Sequence, residues 1–374
     1  MALLEAFRAN WLIATFGCIL FTGGLCLLSW NEGRAVHTIL SLDEALDDAI
    51  TLDPNEELEH NYNNRIVHMT GPIVIGEPLT EPDYNIQVLA VKLKRRVQMF
   101  QWVEESMEHN YGESIASVQT ESRTYYYYTE WRDKLIDSRS FYIRTGHQNP
   151  DRFPIESQTQ VADAVFIGKY ELGNEIKNKF TNYVELTSDT RPEDPTIKMH
   201  LGLYYHTNDV FNPEIGDVRL LFSFAGLEGE MYTIVGKLEN NKILPYRTSR
   251  GVDVLLIYSG ELGLAEVFKQ EHHAQRLTTW GYRFMGWVLV FFGVTCTSRL
   301  LNIILNRIHV LSVLAPDPQF PVGANLMLSL SFTLIIASIA WILHRPMIGA
   351  SLMFAAASPF VWCARGMTNY QRVN

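Results

Sequence analysis

Trp11-Leu-Ile-Ala-Thr-Phe-Gly-Cys-Ile-Leu-Phe-Thr-Gly-Gly-Leu-Cys-Leu-Leu-Ser-Trp30 runs from one tryptophan to the other without a charge. As a helix it is long enough to cross a hydrocarbon core of about 30 Å. Arg8 precedes it, and the tryptophan at each end stands in the manner of an interface anchor. The run exceeds a usual signal-peptide core, and no small-x-small cleavage site follows it. It therefore reads as an uncleaved signal anchor. The other apolar stretches lie at the far end of the chain. They are 280–298, with Arg283 near enough to its end to snorkel, then 324–343, then 347–364 after the break His344-Arg345-Pro346. Pro346 suits the first turn of that last helix, where its missing N–H costs nothing. The sequence thus predicts four transmembrane helices, at 11–30, 280–298, 324–343 and 347–364, the last two forming a tight hairpin.

Between these apolar ends the chain changes character. Residues 31–278 carry 24 basic and 39 acidic side chains, a net charge of −15. A purely soluble protein is excluded by the ends, and non-specific nucleic-acid binding by the lack of clustered Lys and Arg. The insert is long enough for a real hydrophobic core. Cys18, Cys26, Cys296 and Cys363 all fall in the apolar segments, so neither disulfides nor a cysteine-ligated metal stabilise the insert.

Within 299–323 an amphipathic interfacial helix and a loop are expected. Arg299, Asn302, Asn306 and His309 recur at helical spacing, with Arg307 alongside and Leu and Ile on the rest of the wheel. Arg299 and Arg307 are the candidate membrane-interface contacts. With the N-terminus inside, Arg8, Arg299, Arg307, Arg365 and Arg372 fall on the inner side, against Arg345 on the outer. That orientation makes 1–10 and 365–374 short cytosolic or nucleoplasmic tails and places 31–278 in a lumen. Close packing in the last hairpin is expected at Ser331, Ser338, Gly349 and Ala356.

The insert itself reads as α+β with a mainly antiparallel sheet. Ser41 and Glu44 have the spacing of a capping box and predict a short helix over 41–50. Alternation predicts strands at 65–73 and 88–103. The latter pairs across the polar loop 105–120 with 123–131, whose Tyr125–Tyr128 suit a strand exposed on both faces. Further strands are expected at 198–206, 217–224, 231–238, 242–246 and 252–258. Glu239-Asn-Asn241 forms a turn tolerant of positive φ, and a helix over 261–277 leads into the second crossing.

Motifs that carry chemistry are few. The sequence has no Walker loop, no GxGxxG after a strand, no HExxH and no G-x-S-x-G. His200, His206 and Asp209 share a region but lack specific ligand spacing. His272 and His273 point about 100° apart on a helix. No catalytic, cofactor-binding or metal-ligating residue is assigned, and no enzyme activity or cofactor is expected. The alternatives weighed are a luminal enzyme or ligand sensor, testable at His147 or Trp131, and a channel accessory subunit.

Several strings in order carry a resemblance. They are Asn31-Glu-Gly-Arg-Ala35, Ala90-Val-Lys-Leu-Lys-Arg-Arg-Val-Gln-Met-Phe-Gln-Trp-Val-Glu104, Thr129-Glu-Trp-Arg132, Gly146-His-Gln-Asn-Pro150, Gly216-Asp-Val-Arg219, Phe222-Ser-Phe-Ala-Gly226, Thr279-Trp-Gly281 and Arg345-Pro346. Together they resemble the transmembrane protein 43 (LUMA) family over nearly the whole chain. The resemblance implies a four-crossing protein of the endoplasmic reticulum and inner nuclear membrane with a large luminal domain. It further implies a non-enzymatic role in organising the nuclear envelope, with self-association and with lamins and emerin as partners.

Overall fold

The computed structural model describes residues 11–55, 62–109, 122–187, 192, 194–307, 321–342, 346–347 and 349–358. They form two compact units. The first contains the long helices, with the short segment 247–254, and the second comprises 49–246 and 255–262.

In the helical unit, α1 is described over Trp11–Asp48 as one uninterrupted helix of 38 residues. It continues past Trp30 because nothing stops it: no proline occurs before Pro54. The separate helix expected at 41–50 is therefore the last part of α1, and Ser41 is not a cap. Ser41 is buried and hydrogen-bonds Thr248 Oγ1 at 3.0 Å, while Glu44 accepts from Ser249 N and Oγ at 2.7 and 2.6 Å. What looked like a capping box is the docking point of the 247–254 turn. Helix α2, Asn174–Asn178, is one turn and belongs to the second unit.

Helix α3, Leu264–Arg307, is continuous for 44 residues. The interfacial helix expected from 299 is, as far as Arg307, the end of α3 itself, because no proline or glycine stands between Gly293 and Arg307. Residues 308–323 of that expectation lie largely outside the described residues. Helix α4 spans Pro321–Ile342 and a shorter apolar helix, α5, spans Gly349–Ser358. Among the described residues, two helices are long and apolar enough to cross a membrane, α1 and the 325–342 part of α4. Tyr282, Arg283 and the tryptophans dilute the apolar character of 280–298, and α5 is described for only part of 347–364. The protein is a membrane protein of mixed α and β structure with a β-rich domain.

In the β-rich unit, two sheets each have seven strands among the described residues. In the first, Ile66–Ile75 pairs with both Met231–Glu239 and Val165–Ile167. Tyr170–Leu172 and Lys242–Leu244 complete a closed circuit of five strands. Closure removes free edges, and the enclosed side chains form a core that includes Val67, Met69, Ile73, Ile167, Leu172, Ile234 and Ile243. The second sheet runs Ile197–His200, Leu203–His206, Val218–Leu227, Ala90–His109, Ser122–Arg132. In its long ribbon Ala90–His109 pairs with Ser122–Arg132, the pairing expected of 88–103 with 123–131, and the register sets Glu104 opposite Tyr127.

Three local expectations change. The strand at 198–206 is a hairpin, broken where Leu201 and Gly202 adopt φ of 51° and 75°. The strand at 252–258 divides into Asp253–Val254 and Leu256–Ser259. Tyr125 and Tyr127 are half-covered, because the 138–149 segment lies on that face, while Tyr126 and Tyr128 are exposed. The turn at Asn240 and Asn241 has the expected positive φ, 49° and 65°.

Candidate functional site

Helices α1 and α3 run antiparallel, with Gly17 against Cys296, Gly24 against Val290 and Leu28 against Gly286. Glycine permits this closeness: a Cβ on Gly293 would lie 2.6 Å from the backbone nitrogen of Phe21. Small residues let helix backbones approach where lipid offers no hydrophobic drive between helices. Leu28, Val290, Val294 and Leu328 fill the seam, and Phe21 meets Phe332 edge-on at 5.3 Å.

Just past Trp30, the seam becomes polar. Arg283 donates Nε and Nη2 to the two oxygens of Glu32 at 2.5 and 2.8 Å, and Trp341 Nε1 donates to Glu32 Oε2 at 3.1 Å. Glu32 is fully buried, so an unpaired carboxylate here would be costly, whereas the planar two-point pair satisfies it. Asn31 Nδ2 donates to the Thr279 carbonyl at 3.2 Å. Arg34 packs on the edge-on pair of Trp30 and Tyr282, with its guanidinium carbon 5.8 Å from the first centroid and 5.4 Å from the second. Both distances suit a cation held by aromatic faces. The ion pair thus ties α1, α3 and α4 together at the end of the apolar run.

Beside it opens a cavity of about 540 Å³, walled by α1, α3, α4 and Leu352 of α5. Arg276, Arg283 and Trp341 stand towards one end, Trp287, Leu330 and Leu334 towards the other. The indole Nε1 of Trp287 is buried and has no hydrogen-bond partner among the described residues.

Of the residues expected at packing positions, Ser331, Ser338, Gly349 and Ala356 are all buried in this unit. The structure brings Ser338 Oγ to 3.7 Å from Met353 Sδ and sets Gly349 against Ile342. Arg299 and Arg307 lie on α3, and their side chains lie outside the described residues. Sequence reasoning missed Glu32 and its pairing. The available signal was a carboxylate two residues beyond one apolar run and an arginine three residues inside another, which suits an antiparallel helix pair.

In the β-rich unit the residues singled out earlier are occupied in packing. The His147 ring stacks on Tyr127 at 4.0 Å and meets Trp102 edge-on at 4.7 Å. Trp131 packs on Phe100 and Tyr205 and carries the Arg219 guanidinium 4.9 Å above it. The side chain of Asn149, in the same turn as His147, clamps the main chain of Trp102. Its Oδ1 accepts from Trp102 N at 2.7 Å and its Nδ2 donates to Trp102 O at 2.9 Å. His206 Nε2 lies 3.0 Å from Tyr84 Oη. Burial lowers the pKa of His206, against the pull of Asp194 and Asp83, and pushes the Tyr84 hydroxyl up to about 12. His200 meets Phe211, and the Asp209 carboxylate caps its own turn by accepting from Phe211 N. Among the described residues no three His, Cys, Asp or Glu side chains are grouped to hold a metal.

Residues 99–346 match the family model for transmembrane protein 43. The whole chain is 61% identical to the transmembrane protein 43 homolog of Drosophila melanogaster, covering all of both proteins. It is 31% identical to the Mus musculus transmembrane protein 43, over 92% of this chain and 88% of the mouse protein. With the Homo sapiens protein it is 31% identical, over 88% of this chain and 84% of that one. No solved structure matches.

Proposed function

We propose that this chain, which belongs to the transmembrane protein 43 family, is a non-enzymatic scaffold of the endoplasmic reticulum and inner nuclear membrane. In this reading four helices cross the bilayer, the β-rich domain lies in the lumen, and the protein organises nuclear-envelope complexes by self-association and by binding emerin and lamins. The observation that carries it is the braced helix pair. Beyond Trp30, α1 continues without a break to Asp48, and α3 runs beside it from Leu264. The pair is fastened at several levels: Glu32–Arg283, Asn31–Thr279, and Asp43 Oδ1 3.2 Å from His272 Nε2. A braced helix pair, between whose strands of sequence a whole domain is inserted, suits a protein that positions others. The packing roles of His147 and Trp131 favour the same reading over a luminal enzyme.

The test combines topology with assembly. In sealed microsomes, an epitope in 105–120 is expected to resist protease while tags at both termini are digested. From nuclear-envelope fractions, the tagged chain is expected to co-purify a second, differently tagged copy together with emerin and lamins. A digested epitope overturns the luminal placement, and a monomer without these partners overturns the scaffold.

A further inference from the structure

The cavity beside the Glu32–Arg283 pair has a direction. On α3 its wall descends from Arg276 through Thr279, Trp280 and Arg283 to Trp287, along a single helical face. On α4 it descends from Trp341 to Leu330 over the same number of residues. One end is cationic and aromatic, and the other is apolar. The described wall includes two arginines and no carboxylate. Glu32 neutralises Arg283, which leaves Arg276 as the surplus charge. Arg276 is exposed at its position on α3.

We propose that this cavity is a binding site for one anionic glycerophospholipid. The headgroup phosphate pairs with Arg276, at the level where the apolar runs give way to polar sequence. An acyl chain runs down the wall over Phe284, Leu334 and Leu330. Net charge selects the class: a zwitterionic lipid presents the same phosphate but carries its own cation towards Arg276. The site depends on the helical unit being in a bilayer, not on the scaffold role.

The test uses the full chain, delipidated in detergent and then exposed to equimolar phosphatidate and phosphatidylcholine, with retained lipid counted by native mass spectrometry. One phosphatidate per chain is expected, preferred over phosphatidylcholine by about tenfold, the scale of one charge-assisted hydrogen-bonded pair. Arg276→Gln is expected to bring that ratio to about one, and Arg276→Lys to keep part of it. Leu334→Trp, which fills the apolar end, is expected to remove the adduct. Arg276 is exposed, so its variants leave folding intact, as unchanged circular dichroism and elution volume would verify. Equal retention of the two lipids by the wild-type chain, or an undiminished preference in Arg276→Gln, would overturn the proposal. The co-purification above is scored separately, so failure of one reading leaves the other standing.

Discussion

The guanidinium of Arg283 and the carboxylate of Glu32, 251 positions apart in sequence, meet through two parallel hydrogen bonds at 1% exposure of the Glu32 side chain. Removing one partner leaves the other buried and unpaired. Glu32→Leu or Arg283→Met alone is expected to destabilise the helical unit by about 3–5 kcal/mol. The double variant is expected to lose clearly less than the sum. Denaturant titration in nanodiscs checks this, and additive losses would refute the coupling.

The glycine seam makes a positional prediction. Gly293→Ala drives a methyl group into the Phe21 backbone and is expected to cost about 1–3 kcal/mol. Gly23→Ala has nothing within 4 Å of the new atom and is expected to be neutral or mildly stabilising. Thermal melts of the two variants side by side would show whether closeness of α1 and α3, rather than glycine content, matters.

Acid sensitivity of the β-rich unit follows from two histidines. His68 is buried; its Nε2 donates to the Leu262 carbonyl at 3.0 Å, so its Nδ1 accepts from Thr51 Oγ1 at 3.2 Å. Burial lowers its pKa below 6.5, as it does for His206, and the Leu262 bond opposes this only in part. Below 6.5 the unfolded chain binds protons that the folded one refuses. Their contribution is therefore complete above 6.5 and is lost as pH falls through the lower folded values. Unfolding titrations from neutral into mildly acidic pH are expected to show this decline, with a shallower slope in His68→Gln.

Asn149 replaces a missing strand partner for Trp102. Asn149→Ala removes both bonds to that main chain and a third, from Nδ2 to the Ile136 carbonyl at 3.3 Å. A loss of about 1–3 kcal/mol is expected, with faster hydrogen exchange at the Trp102 amide. An unchanged exchange rate would show that the clamp does not hold the strand.

How far the sequence foretold this molecule depends on the range of the interaction. The two long strands, their pairing and the Asn240–Asn241 turn were legible because alternation and turn chemistry act between near neighbours. The strands Val165–Ile167 and Tyr170–Leu172 were too short to show a period. Only Gly168-Lys169 between them, with a φ of 57° at Gly168, hinted at the turn that joins them. Glycine in that left-handed conformation suits a two-residue hairpin loop.

The sequence by itself determined that the chain enters a membrane, that an acidic insert folds as a β-rich domain, and where small residues gather in the last hairpin. Hydropathy, charge and periodicity are local properties. Only the tertiary structure decided that Ser41 and Glu44 dock a distant turn instead of capping a helix. Only it joined Glu32 to Arg283 and closed five strands into a circuit. Each of these depends on a partner brought close by folding, which composition and spacing along one chain do not by themselves specify.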